Sequence, residues 1–319
     1  MPRAPEPADN LATPAKIELG ELLFYDPVLS SDQAVACATC HSEIWGMSDG
    51  LALSIGVDGV GPTGPGREGP NVTQRNAATL WNVAYRPLLF ADGRTASLEE
   101  QVLGPLHEPK ELGREPDAVV ADLAANAEYS ARFRDAFPGD PTPVSVTNLQ
   151  RAIAAFERTM VTYRSPYDHY VRGDAGALSA AAQRGMNLFA EVGCADCHAP
   201  PLFESSRFAD RGVLPIPGVV DTGREAVTHD PADHGAFRVP TLRNVRETGP
   251  YFHTGAIVTL EDAVRHEAKL AARPLDDDEI AAVVAFLNKG LIDPSRSPTR
   301  PKTVPSGLAV PLDGFRIPR

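Results

Sequence analysis

The sequence of 319 residues lacks any uninterrupted run of about 18 apolar residues, so it predicts no membrane-spanning helix. It is also poor in basic residues, because 30 Lys and Arg oppose 42 Asp and Glu and give a formal net charge of −12. This charge argues against nucleic acid and anionic membranes as partners and favours a basic or neutral protein. The same charge can also serve only to keep a secreted protein soluble. The sequence also predicts no signal peptide within the given residues, since residues 1–5 lead straight into polar sequence.

Cysteine is equally scarce, and all 4 cysteines fall into two motifs of the form Cys-x-x-Cys-His. In this motif two thiols form thioethers with the vinyl groups of a porphyrin, and the histidine that follows binds the iron. No cysteine is left over, so the sequence predicts two covalently bound c-type haems. The motifs consist of Cys37, Cys40 and His41 in the first half and Cys194, Cys197 and His198 in the second.

Three other uses of paired cysteines explain this pattern less well. A zinc ribbon places its two pairs about 15–20 residues apart, whereas most of a domain separates these. A thioredoxin-like pair needs no following histidine and would not occur twice, and two disulfides would leave His41 and His198 unexplained. Because haem is normally attached covalently outside the cytoplasm, we expect a periplasmic protein whose leader has been removed.

An internal repeat indicates a duplicated haem domain. Gly-x-x-Leu-Phe precedes each haem motif, at residues 20–24 and 185–189, and predicts a short helix that leads to the haem edge. A change in composition near residues 172–178 then predicts two domains, 1–174 and 175–319, with one haem each. We expect the fold to be mainly α, because convincing strands are few.

The clearest helical signal is an apolar stripe with alternating three- and four-residue spacing, which consists of Leu149, Ile153, Phe156 and Met160. Thr259 and Asp276 are predicted N-caps of two later helices, the second of which ends at Gly290. Residues 50–74 are rich in glycine and proline and predict a loop. The last 29 residues contain six prolines, which exclude helix and predict an extended tail over the rest of the protein.

Together with several further motifs in the same order, these features resemble the bacterial di-haem cytochrome c peroxidase and MauG superfamily over nearly the whole chain. The resemblance implies an N-terminal haem that reacts with hydrogen peroxide and a C-terminal haem that handles electrons. It also implies a calcium ion held by the Asn76 side chain and the backbone carbonyls of Thr248 and Pro250, oxygen ligands that suit calcium. Asn76 can equally be a turn-forming amide. The further motifs are residues 75–76, 90–94, 98–101, 237–244, 250–255 and 259–261.

The sequence departs from this family first at the N-terminal haem. Val57 follows Ser-Ile-Gly where peroxidases that need prior reduction carry a second, distal histidine. Valine cannot bind iron, so we expect His41 to be the single axial ligand, as in the MauG branch. Above the open face the resemblance places Gln101 and Glu111, and Glu111 would take a proton from one peroxide oxygen and return it to the other. The alternative is that Glu111 is a solvated acid beside Lys110.

A second departure lies at the C-terminal haem. Glu267 occupies the position where the peroxidases have methionine and MauG has tyrosine, and it interrupts an apolar helical stripe that includes Leu270. A buried carboxylate without a partner is costly, so we expect Glu267 to bind the ferric iron and to lower its potential. His266 is the rival ligand. A third departure is Ala91, which replaces a tryptophan that many members place between the haems. Trp81 is either its substitute or part of the core.

The combined features predict a periplasmic enzyme of the MauG- or MbnH-like branch. It would use hydrogen peroxide to reach a two-electron-oxidised, bis-Fe(IV)-type state and would then oxidise a side chain of a partner protein. Two alternatives stay open. One is an ordinary cytochrome c peroxidase that takes electrons from a small redox protein. The other is a pure electron-transfer cytochrome, which Val57 and Glu111 disfavour.

Overall fold

The computed structural model describes residues 4–295 and 298–314 of the chain, and these are mostly helical. The expectation of a mainly α fold is confirmed. Residues 1–3, on which the expectation about a signal peptide partly rests, and the last five residues of the tail lie outside the described residues. The helices, numbered α1 to α12, are Pro14–Tyr25, Cys37–Cys40, Leu98–Gln101, Leu103–His107, Pro116–Ala125, Ala127–Ala136, Val146–Glu157, Pro166–Val171, Ala180–Glu191, Glu225–Thr228, Leu260–Ala268 and Asp277–Ala285.

Other regular structure is short. The strands β1, Phe208–Ala209, and β2, Phe237–Arg238, pair antiparallel. A π-helical turn, Phe286–Gly290, continues α12 to the predicted end of that helix. Six single turns of 3₁₀-helix complete the described elements: Pro27–Leu29, Glu43–Trp45, Val83–Tyr85, Cys194–Asp196, Pro231–Asp233 and Val245–Glu247.

The two halves are built around the same helix crossing. Each repeat helix packs closely against a later helix, α1 against α7 and α9 against α12. A Cβ on Gly20 would lie 2.0 Å from the backbone oxygen of Ala152, and a Cβ on Gly185 would lie 1.9 Å from that of Ala282. No side chain fits into either gap, so the glycine of the repeat permits the crossing. The repeat is therefore a packing feature that brings each haem motif to the end of its helix.

The predicted helix signals agree with the structure. Leu149, Ile153 and Phe156 are buried on α7, while Met160 is buried just after that helix ends. Thr259 caps α11 by accepting a hydrogen bond from the backbone N–H of Asp262. Asp276 caps α12 in a reciprocal capping box with Glu279. Residues 50–74 contain no helix and only isolated bridges, as expected for a loop.

The buried apolar residues form three clusters, two in the N-terminal half and one between residues 188 and 291. The described part of the C-terminal tail contains no helix and lies along the N-terminal half. There Val304 is buried and the Ser306 hydroxyl donates to Asp26 at 2.7 Å. The extended tail is thus confirmed for the residues described, and the boundary near residue 174 stays a prediction. Every helix in residues 4–295 and 298–314 is too short or too polar to span a membrane.

Candidate active site: two cavities lined by cysteine and histidine

A cavity of about 50 Å³ lies at the first haem motif. Cys37, Cys40 and His41 line it together with Gln101 and Glu111, so the structure brings the predicted catalytic pair to the predicted haem. Gln101 is the last residue of α3, and Glu111 lies in the turn that follows α4. Most of the remaining wall is apolar.

His41 is held in the form that an iron ligand requires. Its Nδ1 lies 3.0 Å from the backbone oxygen of Met47 and donates to it, which leaves Nε2 free to bind a metal. Burial lowers the pKa of His41, so the ring stays neutral. Among the described residues that line the N-terminal cavity, His41 is the only histidine.

Glu111 has an unusual protonation equilibrium. Burial raises its pKa to about 7, and nearby Glu108 acts in the same direction while Arg94 opposes. A carboxyl group with a pKa near neutrality can both accept and return a proton. A fully solvated acid does not describe this side chain, although its catalytic role stays a prediction. His107, on the same stretch of chain, is half exposed and faces Glu115 instead.

Val57 is buried in the N-terminal core, and the loop that carries it rests on the segment of Glu111. The Val57 N–H donates to the backbone oxygen of Glu111 at 3.0 Å. Arg67 fixes the loop from the other side, because its guanidinium donates to the backbone oxygens of Ile55 at 2.8 Å and Gly56 at 3.0 Å. Sequence reasoning missed this arginine, and its position as a lone cation in a glycine-rich loop was the available signal.

Glu157, at the end of α7, is a second acid that sequence reasoning missed. It lines the N-terminal cavity, is 5% exposed and has one carboxylate oxygen without a hydrogen-bond partner. Burial raises its pKa to about 8. Its spacing of four from Ile153 on the buried stripe was a signal that this acid faces inward.

A larger cavity, about 350 Å³, lies at the second haem motif. Cys194, Cys197 and His198 line it. The Nδ1 of His198 lies 3.1 Å from the backbone oxygen of Phe203 and 3.0 Å from that of Pro240. Its Nε2 is therefore free, and burial lowers its pKa, so both histidines present the same neutral tautomer.

Glu267 also lines the C-terminal cavity, but it is not an isolated carboxylate. Arg211 pairs with both of its oxygens, with Nε 3.1 Å from Oε1 and a second contact from Nη2 to Oε2. The side chain is 33% exposed. The assumption that Glu267 is buried without a partner is therefore wrong. The predicted stripe does face this cavity, because Leu270 lines it as well, although α11 ends at Ala268 and Leu270 is 56% exposed.

His266, the rival ligand, does not line this cavity. Its Nε2 lies 2.7 Å from the backbone oxygen of Arg211, and its ring packs edge-on against Phe252. The structure thus places Glu267, and not its neighbour, on the cavity wall. Ligation of iron by Glu267 stays a prediction.

Comparison with known proteins decides the family. A family model described as di-haem cytochrome c peroxidase matches residues 14–176. The chain is 36% identical over 273 residues to the cytochrome c551 peroxidase of Nitrosomonas europaea, covering 85% of this chain and 78% of that protein. It is 38% identical over 266 residues to the methylamine utilization protein MauG of Methylorubrum extorquens, covering 83% and 72%. The chain belongs to the di-haem cytochrome c peroxidase family.

A solved structure described as a MauG-like protein associated with microbial copper homeostasis superposes with a TM-score of 0.81. It is 30% identical, and the alignment covers 92% of this chain and 94% of that one. As a member of the family, the protein is an oxidoreductase that acts on peroxide, and membership implies two haem c groups. Peroxidase and MauG names occur at similar identity, so the names do not separate the two activities.

The cysteine and histidine side chains of both cavities suit haem c. All four cysteines are free thiols. Burial raises the pKa of Cys37 to about 12 and that of Cys194 to about 11, so each stays a neutral thiol in an apolar wall. Each thiol pair lies beside a neutral histidine with a free Nε2, which is the donor set that a covalently attached haem needs.

The three predicted calcium ligands share one cavity. Asn76, Thr248 and Pro250 all line the C-terminal cavity. The Asn76 amide nitrogen donates to the backbone oxygens of Leu51 at 2.7 Å and Ala52 at 3.3 Å, which leaves its side-chain oxygen for a cation. The described residues contain no cluster of three His, Cys, Asp or Glu suited to a metal ion, so a calcium site here would use neutral oxygens. Calcium stays a prediction.

One short segment separates the two cavities. Thr79 lines the C-terminal cavity, and Leu80 lines the N-terminal one. Trp81 follows, fully buried in the N-terminal core with its indole N–H unpaired. Ala91 lines the C-terminal cavity, so the position of the missing tryptophan does face that site. Trp81 belongs to the core, and its use as a relay stays a prediction.

Proposed function

We propose that this protein is a periplasmic enzyme of the MauG- or MbnH-like branch, which uses hydrogen peroxide to oxidise a side chain of a partner protein. Residues 1–174 would form the peroxide-reacting domain and residues 175–319 the electron-transfer domain. The observation that carries the proposal is the N-terminal cavity, where Glu111 and Gln101 face a single histidine. Similarity to a MauG-like structure over 92% of the chain supports the same branch.

Haem bound at His41 would supply the iron to which peroxide binds, and it would take up the two oxidising equivalents of the peroxide. Glu111 would accept the proton of the iron-side peroxide oxygen and deliver it to the far oxygen, which leaves as water. Its pKa of about 7 suits both transfers. The carboxamide of Gln101 would donate a hydrogen bond that keeps the peroxide in reach of the carboxylate. The apolar remainder of the wall would keep competing water out.

At the second haem we propose Glu267 as the distal ligand, with His266 as the rival. The support is its place on the cavity wall, whereas His266 bonds to the Arg211 backbone. Arg211, which donates to both carboxylate oxygens, would hold the side chain in orientation. A carboxylate ligand stabilises ferric over ferrous iron, which favours the accumulation of oxidising equivalents.

We also propose a calcium ion at Asn76, Thr248 and Pro250. The support is that these residues share the wall of one cavity. In addition, the contacts of Asn76 with the neighbouring carbonyls are made by its amide nitrogen, so its side-chain oxygen is available to a cation. The ion would tie the loop before Trp81 to the turn that follows residues 245–247, and so would fix the segment between the two haems.

The competing function is that of a cytochrome c peroxidase, which the names of several relatives favour. One experiment separates the two. The as-isolated ferric protein is mixed with one equivalent of peroxide before any reductant, and optical and electron paramagnetic resonance spectra are recorded. We expect one high-spin and one low-spin haem and an immediate reaction. Two low-spin haems, with no reaction until one electron is added, would contradict the proposal.

A control uses the same peroxide-treated protein with a small reduced cytochrome c. An ordinary peroxidase would oxidise it with many turnovers per second. The proposed enzyme would do so slowly and would keep its oxidising equivalents until a protein substrate arrives.

A further inference from the structure

Three charged side chains meet in the wall of the C-terminal cavity, and they do not balance. Arg86, Arg238 and Glu204 have exposed side-chain fractions of only 4%, 5% and 5%. Arg86 Nε lies 3.1 Å from Glu204 Oε2, which is a direct ion pair, whereas the nearest approach of Arg238 to the same oxygen is 3.9 Å. Two buried cations therefore share one carboxylate.

Arg238 is the cation that is left short of a partner. Its remaining contacts are long hydrogen bonds to the backbone oxygens of Phe90 at 3.3 Å and Val239 at 3.4 Å. Burial lowers its pKa to about 9, Arg86 acts in the same direction by repulsion, and Glu204 opposes. A buried charge without a close counterion is costly. The site is therefore incomplete until an anion reaches it.

The direction from which that anion comes is set by the cavity. Arg86 and Arg238 line the cavity, while Glu204 does not and stands behind them. The other charged side chains on the described lining, Arg211 and Glu267, neutralise each other. After Glu204 offsets one of the two cations, the described residues leave one positive charge on the cavity wall without a close counterion.

We propose that Arg238 and Arg86 form an anion site that binds one carboxylate of the haem attached at Cys194 and Cys197, namely a propionate. Glu204 offsets one of the two cations, so the site takes a single negative charge. The inference depends on the second haem being bound and not on which substrate the enzyme oxidises. A small anion from solution is the other source of the same chemistry, and the tests below distinguish the two.

The test follows the protonation of the propionates in the intact di-haem protein. Reduced-minus-oxidised infrared spectra are recorded against pH for the wild type, Arg238→Gln and Arg238→Lys. An opposite charge within 4–6 Å lowers a carboxyl pKa by about 1–3 units. We therefore expect Arg238→Gln to raise the propionate pKa of the C-terminal haem by about that amount. Arg238→Lys should raise it much less, and the N-terminal haem should not respond.

Arg224→Gln is the matched control. Arg224 lies at the same strand pair, stacks on Phe208 with 4.6 Å to the ring centroid, and does not line the cavity. It should leave the titration unchanged. An unchanged titration in Arg238→Gln, with two haems per chain and normal helix content, would overturn the proposal.

Glu204→Gln tests the same site with the opposite sign. This change removes the competing carboxylate, so the propionate pKa should fall below that of the wild type. This variant also tests the proposal if Arg238→Gln does not fold. A propionate pKa in Glu204→Gln that is equal to or higher than that of the wild type would contradict the proposal.

The last arm asks whether a free anion occupies the site. Acetate and phosphate are titrated into the wild-type di-haem protein at constant ionic strength, and its thermal midpoint and Soret spectrum are followed. We expect no saturable response. A saturable response that Arg238→Gln abolishes would show that a free anion, and not the propionate, fills the site.

Discussion

The two cavities share a scaffold but differ in charge. Both lie at the end of a helix whose glycine permits a close crossing, and both hold a histidine through Nδ1. Yet the charged residues that line the N-terminal cavity in the described chain are Glu111 and Glu157, with no arginine or lysine. The C-terminal cavity is lined by Arg86, Arg211 and Arg238 against Glu267.

This difference is what the proposed division of work between the two haems requires. Uncompensated buried carboxyl groups hold protons near neutral pH, which a peroxide site needs because protons must move while the O–O bond breaks. Buried arginines cannot release protons in this range, and they hold anions in place. Both halves share the helix crossing, and their charges suit the proposed division, with proton transfer at the N-terminal cavity and a fixed electrostatic environment at the C-terminal one.

The largest expected effect concerns Glu111. Glu111→Gln should keep both haems but slow peroxide activation by about 10²–10⁴-fold, because the general acid–base is lost. In the wild type the rate should rise with pH through about 7, since the first step needs the ionised carboxylate. Stopped-flow spectra after mixing with peroxide measure this rate.

Glu108→Gln is the control for Glu111, because Glu108 raises the pKa of Glu111 from outside the cavity. It should shift the pH profile downwards and leave the limiting rate unchanged. Near-normal activation in Glu111→Gln would show that another group moves the proton and would break the contrast between the cavities.

The second effect concerns the potential of the C-terminal haem. Glu267→Met should keep the iron six-coordinate but raise its midpoint potential, since thioether favours ferrous iron. The range over which axial ligands act is on the order of hundreds of millivolts. His266→Gln is the control and should change the low-spin spectrum much less. If His266→Gln abolishes the low-spin signal while Glu267→Met leaves the potential unchanged, histidine is the ligand.

A third effect tests the shared scaffold. Gly185→Ala and Gly20→Ala should each destabilise the protein by about 1–3 kcal/mol, because the new methyl group meets a backbone oxygen of the crossing helix. Gly176→Ala is the control, since its Cβ would meet only Asp174 at 3.5 Å. Chemical denaturation at one pH measures the change. A loss in one half alone would show that the crossings are not equivalent.

The features that could be predicted from the sequence are those written in short stretches of chain. The haem motifs, the α7 stripe and the caps at Thr259 and Asp276 depend on neighbours within a few residues, so their spacing reveals them. Glu111 and Gln101 came from the family resemblance, and the structure brings them to the same wall as His41.

The features that were missed depend on residues far apart in the chain. Arg211 pairs with Glu267 across 56 positions, and Arg86 meets Glu204 across 118. No local pattern encodes such pairs, because a surface arginine and a buried one look alike in sequence. Glu267 was therefore assigned no protein partner, and the positive wall of the C-terminal cavity was not foreseen.

The smallest expected effect concerns Glu157 and tests whether the N-terminal cavity holds a second proton. Its pKa in the folded protein, about 8, lies above the ordinary value, so the folded state binds the proton more tightly than the unfolded state. The stabilisation that protonated Glu157 gives the folded protein is fully present below the pKa that this group has in the unfolded state. It is lost as the pH rises towards 8. The Glu157→Gln side chain cannot ionise. The free energy of unfolding of this variant should therefore not show the decrease of up to roughly 2 kcal/mol that we expect for the wild type between pH 6 and pH 8. Denaturation of the di-haem protein at both pH values measures this, with the exposed Asp135→Asn as control. Equal pH dependence in wild type and Glu157→Gln would show that the acid is ionised in the folded protein, and the N-terminal cavity would then carry a fixed negative charge instead of a proton.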